Sequence, residues 1–514
     1  MTDLFRIPSR IQQIWMKVKQ KDIYYLLIGL SIVSLIYSFI SVNIHNHFMT
    51  FGLDLGNFDE AIWKISKGIF PYSGVGCNWL LEDHFQVILY FFAPLYWLWN
   101  DVRALLVAQS FIMIFAGLPL YLIAKKVTKN ISFSISVVFT YIFFIGTQFS
   151  ILNEFHQITA APLFIAILFY SLVNNNFNFY ILSIIGLLIT KEDLSLLVSA
   201  IGIGLLFTKK YKRRGFITAI LGFTMFFFLI YIFMPFISIK GVYDHFDFGS
   251  AGYTPFDVIR TIMTNPVFFL KSMIFPLIKL KTIFQSFSTF GFFPIFSPIV
   301  YLIPLIEDFV TRFVYSGPQF TKWGLVNHHA APSSMLLSVA TIYGALKLQN
   351  IIKNIRLKSL FFPISALVLI SMTILNNIVF HGPINSILKK QFYEDEQWIR
   401  DNRDVISKVP PEVSLAAQNN LLPHLTHRNS VYRLPYGLNS EYIMVDLHDG
   451  PNKYAPLNFS EMKYFVHSLL IDKRYNIVYQ KGDAFLLKRN FKTDITKSKY
   501  YGDTRYCYYS YEER

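Results

Sequence analysis

Residues 23–42 read IYYLLIGLSIVSLIYSFISV, a run of twenty residues without a single charge. About 20 consecutive apolar residues are what an α-helix needs to cross the hydrocarbon of a bilayer. No small-residue cleavage site follows the run, so we interpret it as an uncleaved signal anchor. The fold is therefore expected to begin with a transmembrane helix.

The rest of the 514-residue chain has a composition typical of membrane proteins. It is 53% hydrophobic and only 15% charged, whereas soluble domains carry about 25% charged residues. The charges gather in short runs between long apolar stretches, which indicates repeated membrane crossings. Roughly nine to eleven spans are predicted, at 23–42, 104–124, 131–147, 158–173, two short passes in 180–207, 216–237, one or two in 268–309, about 335–346 and 360–380.

Basic clusters predict the orientation of these spans. They lie within residues 6–21, 125–129, 209–214 and 347–358, and one topology places all four on the cytoplasmic side. The net charge of +15 is then explained by this bias, and no nucleic-acid partner is indicated. Residues 1–22 are predicted to form a cytoplasmic interfacial helix, because apolar and basic residues fall on opposite faces. The protein is accordingly expected in the cytoplasmic membrane, with its N-terminus inside.

Two further segments complete the predicted architecture. Residues 43–103 form a large first outer loop in the transmembrane domain 23–380, and the apolar piece 85–99 is interpreted as an interfacial helix interrupted at Pro94. From about residue 381 charges, Asn and Pro become frequent and no further span is evident. Residues 381–514 are therefore predicted to be a small extracytoplasmic α/β domain, with helices near 394–407 and 459–471 and a hairpin around residues 481–483.

Ionisable and polar residues concentrate on the predicted outer face, which suggests a site there. Three adjacent ionisable residues at 191–193 interrupt an apolar run, where charges are functional by default. Each feature also has a non-functional interpretation. The acidic residues of the first loop could be solvated or lie at a helix start, the histidines could lie in the membrane interface, and residues 191–193 could neutralise one another as a structural cluster. The candidates are Asp54, Asp59, Glu60, His84, Glu154, His156, Lys191, Glu192, Asp193, His328, His329, Gln418, Asn419, His424, His427 and Arg428.

The sequence contains no motif for nucleotide binding and too few cysteines for a metal cluster. There is no Walker, Rossmann or zinc-protease motif, so no nucleotide is indicated. The only two cysteines, Cys77 and Cys507, both fall on the predicted outer side. A disulfide between the first loop and the C-terminal domain is a possibility in an oxidising compartment.

The sequence resembles the GT-C superfamily of membrane glycosyltransferases, and within it a prokaryotic family of predicted membrane proteins, domain of unknown function 2079. The resemblance rests on the first-loop motif FGLDLGNFDEAIWKISKG at 51–68 and on the pieces that follow it in order. These are LLEDHFQVILYFFAPLYWLW, NEFHQITAAPLF, LLITKEDLSLLVSAIGIGLL, NHHAAPSSML and VSLAAQNNLLPHLTHRNSVYRLP. It implies an all-α polytopic bundle, GT-C-like, with a small C-terminal extracytoplasmic α/β domain.

The resemblance also implies an activity. A GT-C enzyme would transfer a sugar from a polyprenyl-phosphate donor to an extracytoplasmic acceptor, such as a lipid, a glycan or a protein. In that scheme Asp54, Asp59 and Glu60 are the catalytic candidates. A carboxylate near Asp54 would act as a base toward the acceptor or hold a divalent metal over the phosphate. The other candidates would bind substrate, with Lys191, Arg428 and the histidines as cations and donors.

Departures from the family pattern affect the metal hypothesis most. Asp54 and Asp59 are five residues apart, which in an α-helix separates their directions by about 140°. A metal shared by both would need a bend at Gly56, so the sequence leaves open whether any divalent metal is used. A single proline, Pro94, also stands in the first loop's hydrophobic piece where more familiar members carry two.

Two alternatives of a different class fit the same sequence. One is a transporter or lipid flippase with residues 191–193 as a coupling site between broken helices, although no internal repeat is evident. The other is a non-catalytic envelope scaffold whose C-terminal domain binds a partner.

Overall fold

The computed structural model describes residues 9–239, 241–243, 246, 248–315, 320–450 and 453–490, with side chains from Lys21 onward. In this part of the chain, five helices are long and apolar enough to cross a membrane. A sixth candidate is a helix pair bent by 49°. The five are Lys21–Asn46, Arg103–Thr128, Gln157–Asn174, Lys209–Ile237 and Ile355–Val379, and the bent pair is Ile131–Phe143 with Ile145–Leu152.

Shorter helices fill out the bundle. Phe177–Leu188 and Leu194–Leu206 are apolar but short, and they flank the break at 191–193. The remaining helices of four or more residues between Pro255 and Ile351 are Pro255–Thr264, Pro266–Ile274, Ile278–Thr289, Phe293–Phe296, Ile299–Phe313 and Ala331–Ile351. Repeated apolar spans are thus confirmed, while the predicted count of nine to eleven stays a prediction.

The first membrane helix shows why its sequence suits a lipid boundary. It is continuous from Ser9 to Asn46, so the segment predicted as a separate interfacial helix runs into the span from Ser9 onward. Ile32 and Leu35 are more than half exposed on one side, whereas Tyr37 and Ile40 are fully buried on the other. Apolar side chains exposed along a helix face are expected where that face meets lipid rather than water.

Close packing in the bundle depends on small residues. At Gly202 an added Cβ would lie 2.2 Å from the backbone nitrogen of Ala219 in the neighbouring helix, and at Gly222 it would lie 2.4 Å from that of Ser199. Glycine at such contacts lets helix backbones approach each other, as is common in membranes. The pair Leu194–Leu206 and Lys212–Phe228 is therefore locked tightly beside the break at 191–193.

The two ends of the bundle differ in character. At one end the predicted cytoplasmic segments converge, since Lys125 pairs with Asp22 and the Tyr211 hydroxyl donates to the Leu172 carbonyl. The opposite end carries the C-terminal domain, whose Arg403 donates to the carbonyl of Asn46. We call this second end the domain end.

The first loop lies at the domain end and is largely helical. Its elements are a π-helical turn Gly52–Gly56, an α-helix Asn57–Ser66, a short hairpin of β1 (Tyr72–Ser73) and β2 (Asn78–Trp79), the helical turn Leu80–Asp83 and the apolar segment Val87–Leu98. The twelve residues of Val87–Leu98 would give a helix about 18 Å long, which is shorter than the ~30 Å thickness of the hydrocarbon layer. The segment is broken at Pro94, as the interfacial interpretation predicts.

The C-terminal domain is a mixed sheet between two helices. Its strands are β3 (Leu415–Ala417), β4 (Val431–Arg433), β5 (Tyr442–Asp446), β6 (Tyr475–Lys481) and β7 (Ala484–Arg489). They lie in the order β4-β3-β5-β7-β6, with β3 parallel to β4 and β5 and the other pairs antiparallel. The predicted small C-terminal domain with a β-sheet is confirmed.

Alternating side chains of the central strands form two cores. On one face Ala416 and Ile443 pack with the helix Phe459–Ile471, and on the other Ala417 and Met444 pack with the helix Gln397–Ile406. The period of two along a strand produces this division. The helix 459–471 has the predicted bounds because Asn458 and Glu461 cap each other's backbone amides at 2.9 and 2.8 Å.

Candidate functional site

The two helical elements from Gly52 to Ser66, here called the loop helix, are held at their start by groups from elsewhere in the fold. The first amides of a helix have no partner within it. Here the buried carboxylate of Glu154 accepts from the backbone nitrogens of Phe51 at 3.1 Å and Leu55 at 3.0 Å. Glu154 belongs to the turn after the bent membrane helix, so the bundle itself positions the loop helix.

The C-terminal domain supplies the remaining caps. The carbonyl of Asn419 accepts from Gly52 at 2.7 Å, and its side-chain oxygen accepts from Leu53 at 3.2 Å. Gly52 has no room for a side chain, because an added Cβ would lie 2.6 Å from Leu422. Asn419, predicted to bind substrate, thus contacts the loop helix directly. The bundle and the C-terminal domain therefore both cap the start of the loop helix.

Asp54 lies in the π-helical turn of this gripped segment. Such turns are frequent at functional sites. The Asp54 side chain is 51% exposed, and its Oδ1 lies 3.6 Å from Nε2 of His156. Partial removal of water by the surrounding protein would by itself raise the pKa of Asp54, but the neighbouring His156 outweighs this effect and lowers that pKa below its usual value. Burial and the charge of Asp54 raise the pKa of Glu154 well above its usual value, so Asp54 carries the negative charge of this carboxyl pair.

A stack of histidine rings lies beside Asp54. The rings of His156 and His328 stack with centroids 3.5 Å apart, and His329 lies 4.2 Å from His328. Within the described residues, both ring nitrogens of His156 and Nδ1 of His328 are buried without a hydrogen-bond partner. Burial lowers the pKa of His328 and of His329 well below the usual value, so both rings are neutral. Buried polar atoms left without partners are rare and call for an explanation.

The break between the two short apolar helices contributes a second polar group. Glu192 is buried and accepts from His84 Nδ1 at 2.7 Å, from the backbone nitrogen of Phe85 at 2.9 Å and from the hydroxyl of Tyr243. Burial opposes protonation of His84, yet Glu192 outweighs it and raises the His84 pKa. The charge of His84 also acts on Asp54, lowering its pKa.

Lys191 adds a buried cation beside this pair. Its side chain is 9% exposed, and Nζ lies 3.4 Å from Oδ2 of Asp193, which is 49% exposed. Burial opposes the charge of Lys191, but Asp193 and Glu192 raise its pKa above the usual value. The group around Asp54, namely His156, His328, His329, His84, Glu192, Lys191 and Asp193, is called the acidic–histidine site below.

Asp59 faces a different part of the fold from Asp54, as the spacing in the sequence predicts. It is fully buried, and it accepts from the hydroxyls of Tyr96 and Thr426 and from His427 Nε2 at 3.1 Å. Burial opposes protonation of His427, but Asp59 outweighs it and raises the His427 pKa. Asp59 therefore joins the loop helix to the C-terminal domain.

Glu60, a predicted catalytic residue, is fully engaged by donors of its own loop. Both oxygens are buried and accept from Lys64 at 2.7 Å, Ser73 at 2.8 Å, and the backbone nitrogens of Gly74 and Val75 at 3.1 Å. A carboxylate with four donors has no free lone pair for a substrate proton. Glu60 therefore supports the hairpin, and its catalytic role stays a prediction.

Two further candidates lie inside the C-terminal domain. The Arg428 guanidinium donates to the carbonyls of Leu425, Pro410 and Val413 at 2.6 to 3.5 Å. Gln418 is fully buried and accepts from the backbone nitrogen of Asp446 at 2.7 Å. Both side chains form hydrogen bonds within their own domain, and their role in binding substrate stays a prediction.

His424 lines a separate cavity of about 570 Å³ between the C-terminal domain and the end of the first membrane helix. Asp59 and His427 line it too. The loop helix therefore has Asp54 at the acidic–histidine site and Asp59 at this cavity. Cys507 lies outside the described residues, so its pairing with Cys77 stays a prediction.

Metal binding has no ready ligand set in the described ranges. No group of three His, Cys, Asp or Glu side chains there is arranged to hold a metal ion. Asp54 and Asp59, the pair considered from the sequence, have different surroundings and share no ligand position.

Several functional neighbours were not among the sequence candidates. Tyr243 and Tyr96, which donate to Glu192 and Asp59, lie far from them in sequence. No local pattern marks these tyrosines, since the contacts exist only in the folded chain. His45, which stacks on His424 with centroids 4.0 Å apart, lies three residues after the first apolar run, and this position is the signal that the sequence offers.

Comparison with solved structures finds another membrane protein with a similar fold. The crystal structure of ArnT from Cupriavidus metallidurans bound to undecaprenyl phosphate has a TM-score of 0.50 and 9% identity, and the match covers 90% of this chain and 97% of that chain. The apo structure of the same protein has a TM-score of 0.49 with the same identity and coverage. At 9% identity the likeness concerns the fold alone.

No curated protein matches the sequence. The family model described as "Predicted membrane protein (DUF2079)" matches residues 44–480, a stretch that includes the loop helix, the acidic–histidine site and most of the C-terminal domain. The chain therefore belongs to this family of predicted membrane proteins.

Proposed function

We propose that this protein is a glycosyltransferase that moves a sugar from a polyprenyl-phosphate donor to an extracytoplasmic acceptor. The observation that carries the proposal is the set of buried, unpartnered imidazole nitrogens on His156 and His328 beside the half-exposed Asp54. Buried polar atoms of this kind are satisfied when a polar ligand binds. The site lies at the domain end of the apolar helices, a position that suits a lipid-linked substrate.

Asp54 is the proposed general base. The acceptor hydroxyl attacks the anomeric carbon of the donor sugar, and the bond from that carbon to the phosphate oxygen breaks. The hydroxyl proton passes to the Asp54 carboxylate, and polyprenyl phosphate leaves with the bonding electron pair. The lowered pKa of Asp54 keeps it ionised and ready to accept a proton. Its position depends on the caps from Glu154 and Asn419.

Lys191 and His84 are the proposed partners of the leaving phosphate. Both are kept cationic by neighbouring carboxylates, Asp193 and Glu192. Positive charge placed in advance where negative charge develops is the strongest common source of catalysis. The unpartnered ring nitrogens of His156 and His328 would form hydrogen bonds with the sugar and phosphate. This scheme needs no nucleotide and contains no metal-bound step.

The orientation is part of the same proposal. The basic clusters of the sequence converge at the end opposite the C-terminal domain, which supports a cytoplasmic position for that end. The C-terminal domain, the acidic–histidine site and the acceptor are then extracytoplasmic. Labelling of a cysteine substituted at Lys408 with a membrane-impermeant reagent in intact cells tests this orientation. Protection of that cysteine from the reagent would overturn the extracytoplasmic position of the C-terminal domain.

Asp54→Asn is the direct test of the chemistry. Asn keeps the size of the side chain and removes the base, so we expect transfer from a polyprenyl-phosphate sugar to fall about 10²–10⁴-fold. Asp472→Asn is a matched control, because its side chain is 55% exposed, close to the 51% of Asp54, and lies in the C-terminal domain. Unchanged transfer by folded Asp54→Asn protein would remove Asp54 from the mechanism.

A transporter remains the competing function for one reason. The break at Lys191–Asp193 between short apolar helices is a feature that transporters share. Proteoliposomes distinguish the two, since lipid or ion flux without sugar transfer would favour transport. A protein with neither flux nor transfer, but with a stable partner on its C-terminal domain, would be a scaffold.

A further inference from the structure

The cavity beneath the C-terminal domain is distinct from the acidic–histidine site. It lies between His45 at the end of the first membrane helix, the turn Asn100–Arg103, and Arg403, His424 and His427 of the C-terminal domain. Its volume of about 570 Å³ is in the range of ~300–1,000 Å³ typical of small-molecule sites. Asp59 of the loop helix forms part of its wall, which places the cavity next to the element that carries Asp54.

The charged side chains around this cavity form ion pairs in which a cation is matched by a carboxylate. Arg103 donates through both Nε and Nη2 to Asp101, at 2.7 and 2.5 Å. Arg403 donates to both oxygens of Asp395. His427 is paired with Asp59. A phosphate or carboxylate ligand would need a cation free to pair with it, and each of these three is already matched to a carboxylate.

Such pairs suit a neutral ligand with many hydroxyl groups. A carboxylate oxygen in an ion pair keeps lone pairs for further donors, and a guanidinium has five donors of which its partner uses two. Asn100 adds an amide with both a donor and an acceptor. The cavity thus offers oriented donors and acceptors without net charge.

Aromatic faces complete the lining. The ring of His424 stacks on His45 with centroids 4.0 Å apart and lies 4.3 Å from Phe48. Nε2 of His424 is buried and has no hydrogen-bond partner in the described part of the chain. These rings pack against one another, and the unpartnered Nε2 of His424 is a further hydrogen-bonding group in the lining.

We propose that this cavity binds a neutral segment of the acceptor glycan, away from the hydroxyl that reacts at Asp54. The acceptor role rests on the proposed function, whereas the binding itself does not. The class of acceptor is then a carbohydrate, not a protein or the headgroup of an anionic lipid. Asp59 links the bound glycan to the loop helix and so to Asp54.

The experiment uses the full chain in nanodiscs and an array of neutral and phosphorylated oligosaccharides of one to four rings. We expect retention of at least one neutral glycan. Asn100→Phe places a ring in the cavity without breaking any of the three ion pairs, and it should weaken that binding at least tenfold. Lys408→Gln, on the exposed surface of the C-terminal domain, is the control and should bind as the unaltered protein does.

A second variant tests the charge argument. Asp101→Asn removes the charge that matches Arg103, so inorganic phosphate should displace the glycan from this variant but not from the unaltered protein. Displacement from the unaltered protein by phosphate, retention of phosphorylated glycans only, or no retention of any neutral glycan would each overturn the proposal. Glycan binding without donor-dependent transfer would refute the proposed function and leave the glycan site standing.

Discussion

Replacing Glu154 tests whether the bundle holds the loop helix in place. Glu154→Ala removes the acceptor of the Phe51 and Leu55 amides, and each buried N–H left without a partner costs about 1–3 kcal/mol. The sum is about 2–6 kcal/mol of local stability at the turn that carries Asp54. Even the lower value corresponds to roughly 30-fold faster amide exchange. Hydrogen exchange measured by mass spectrometry on peptides covering residues 50–58 reports this quantity.

The isosteric variant makes the test selective. Because burial and Asp54 raise the pKa of Glu154, its neutral form is favoured, and Glu154→Gln keeps an acceptor oxygen in the same place. We expect exchange in the Gln variant to stay within about threefold of the unaltered protein, less than 1 kcal/mol. Exchange at residues 50–58 that is unchanged in Glu154→Ala, or equally fast in both variants, would refute the capping argument. A peptide from the helix Phe459–Ile471 serves as the internal control.

Two other predictions follow from buried charges. Because Glu192 raises the pKa of His84, this histidine is fully protonated below its usual pKa of about 6.5 and loses its charge as the pH rises through the raised pKa. We therefore expect kcat/KM for transfer to fall over that interval, and kcat/KM of His84→Gln to be lower and independent of pH there. A pH profile of the variant equal to that of the unaltered protein would contradict the role of His84. Glu60→Ala leaves Lys64 buried without its carboxylate, which typically costs about 3–5 kcal/mol of folding stability. The midpoint of thermal unfolding should therefore fall strongly in Glu60→Ala and less in Glu60→Gln. Equal midpoints for the two variants and the unaltered protein would contradict the supporting role of Glu60.

Local patterns in the sequence predicted the elements but not how they combine. The apolar run at 23–42 and the capped helix at 459–471 are determined by neighbours in sequence, and both are in the structure. The different surroundings of Asp54 and Asp59 also agree with helical periodicity, which is a local property. By contrast, the support that Glu60 gives to the hairpin is not evident from the sequence, because its donors Ser73, Gly74 and Val75 reach it only once the hairpin folds.

Long-range partners decide the roles of the C-terminal candidates for the same reason. Asn419, His424 and Arg428 lie within ten residues, yet one caps the loop helix, one lines the cavity and one binds carbonyls of its own domain. Composition and spacing are similar for all three. Only the sheet and its packing against the first loop assign them different surroundings.

The arrangement of the loop helix explains why a membrane bundle of this kind needs its C-terminal domain. Glu154 alone leaves the amides of Gly52 and Leu53 without partners, and Asn419 supplies them. Asp59 then ties the same helix to Thr426 and His427. If the C-terminal domain binds the acceptor glycan, the element that recognises the acceptor is also the one that fixes the turn of Asp54. Acceptor binding and the placement of the base are then mechanically linked through a single short helix.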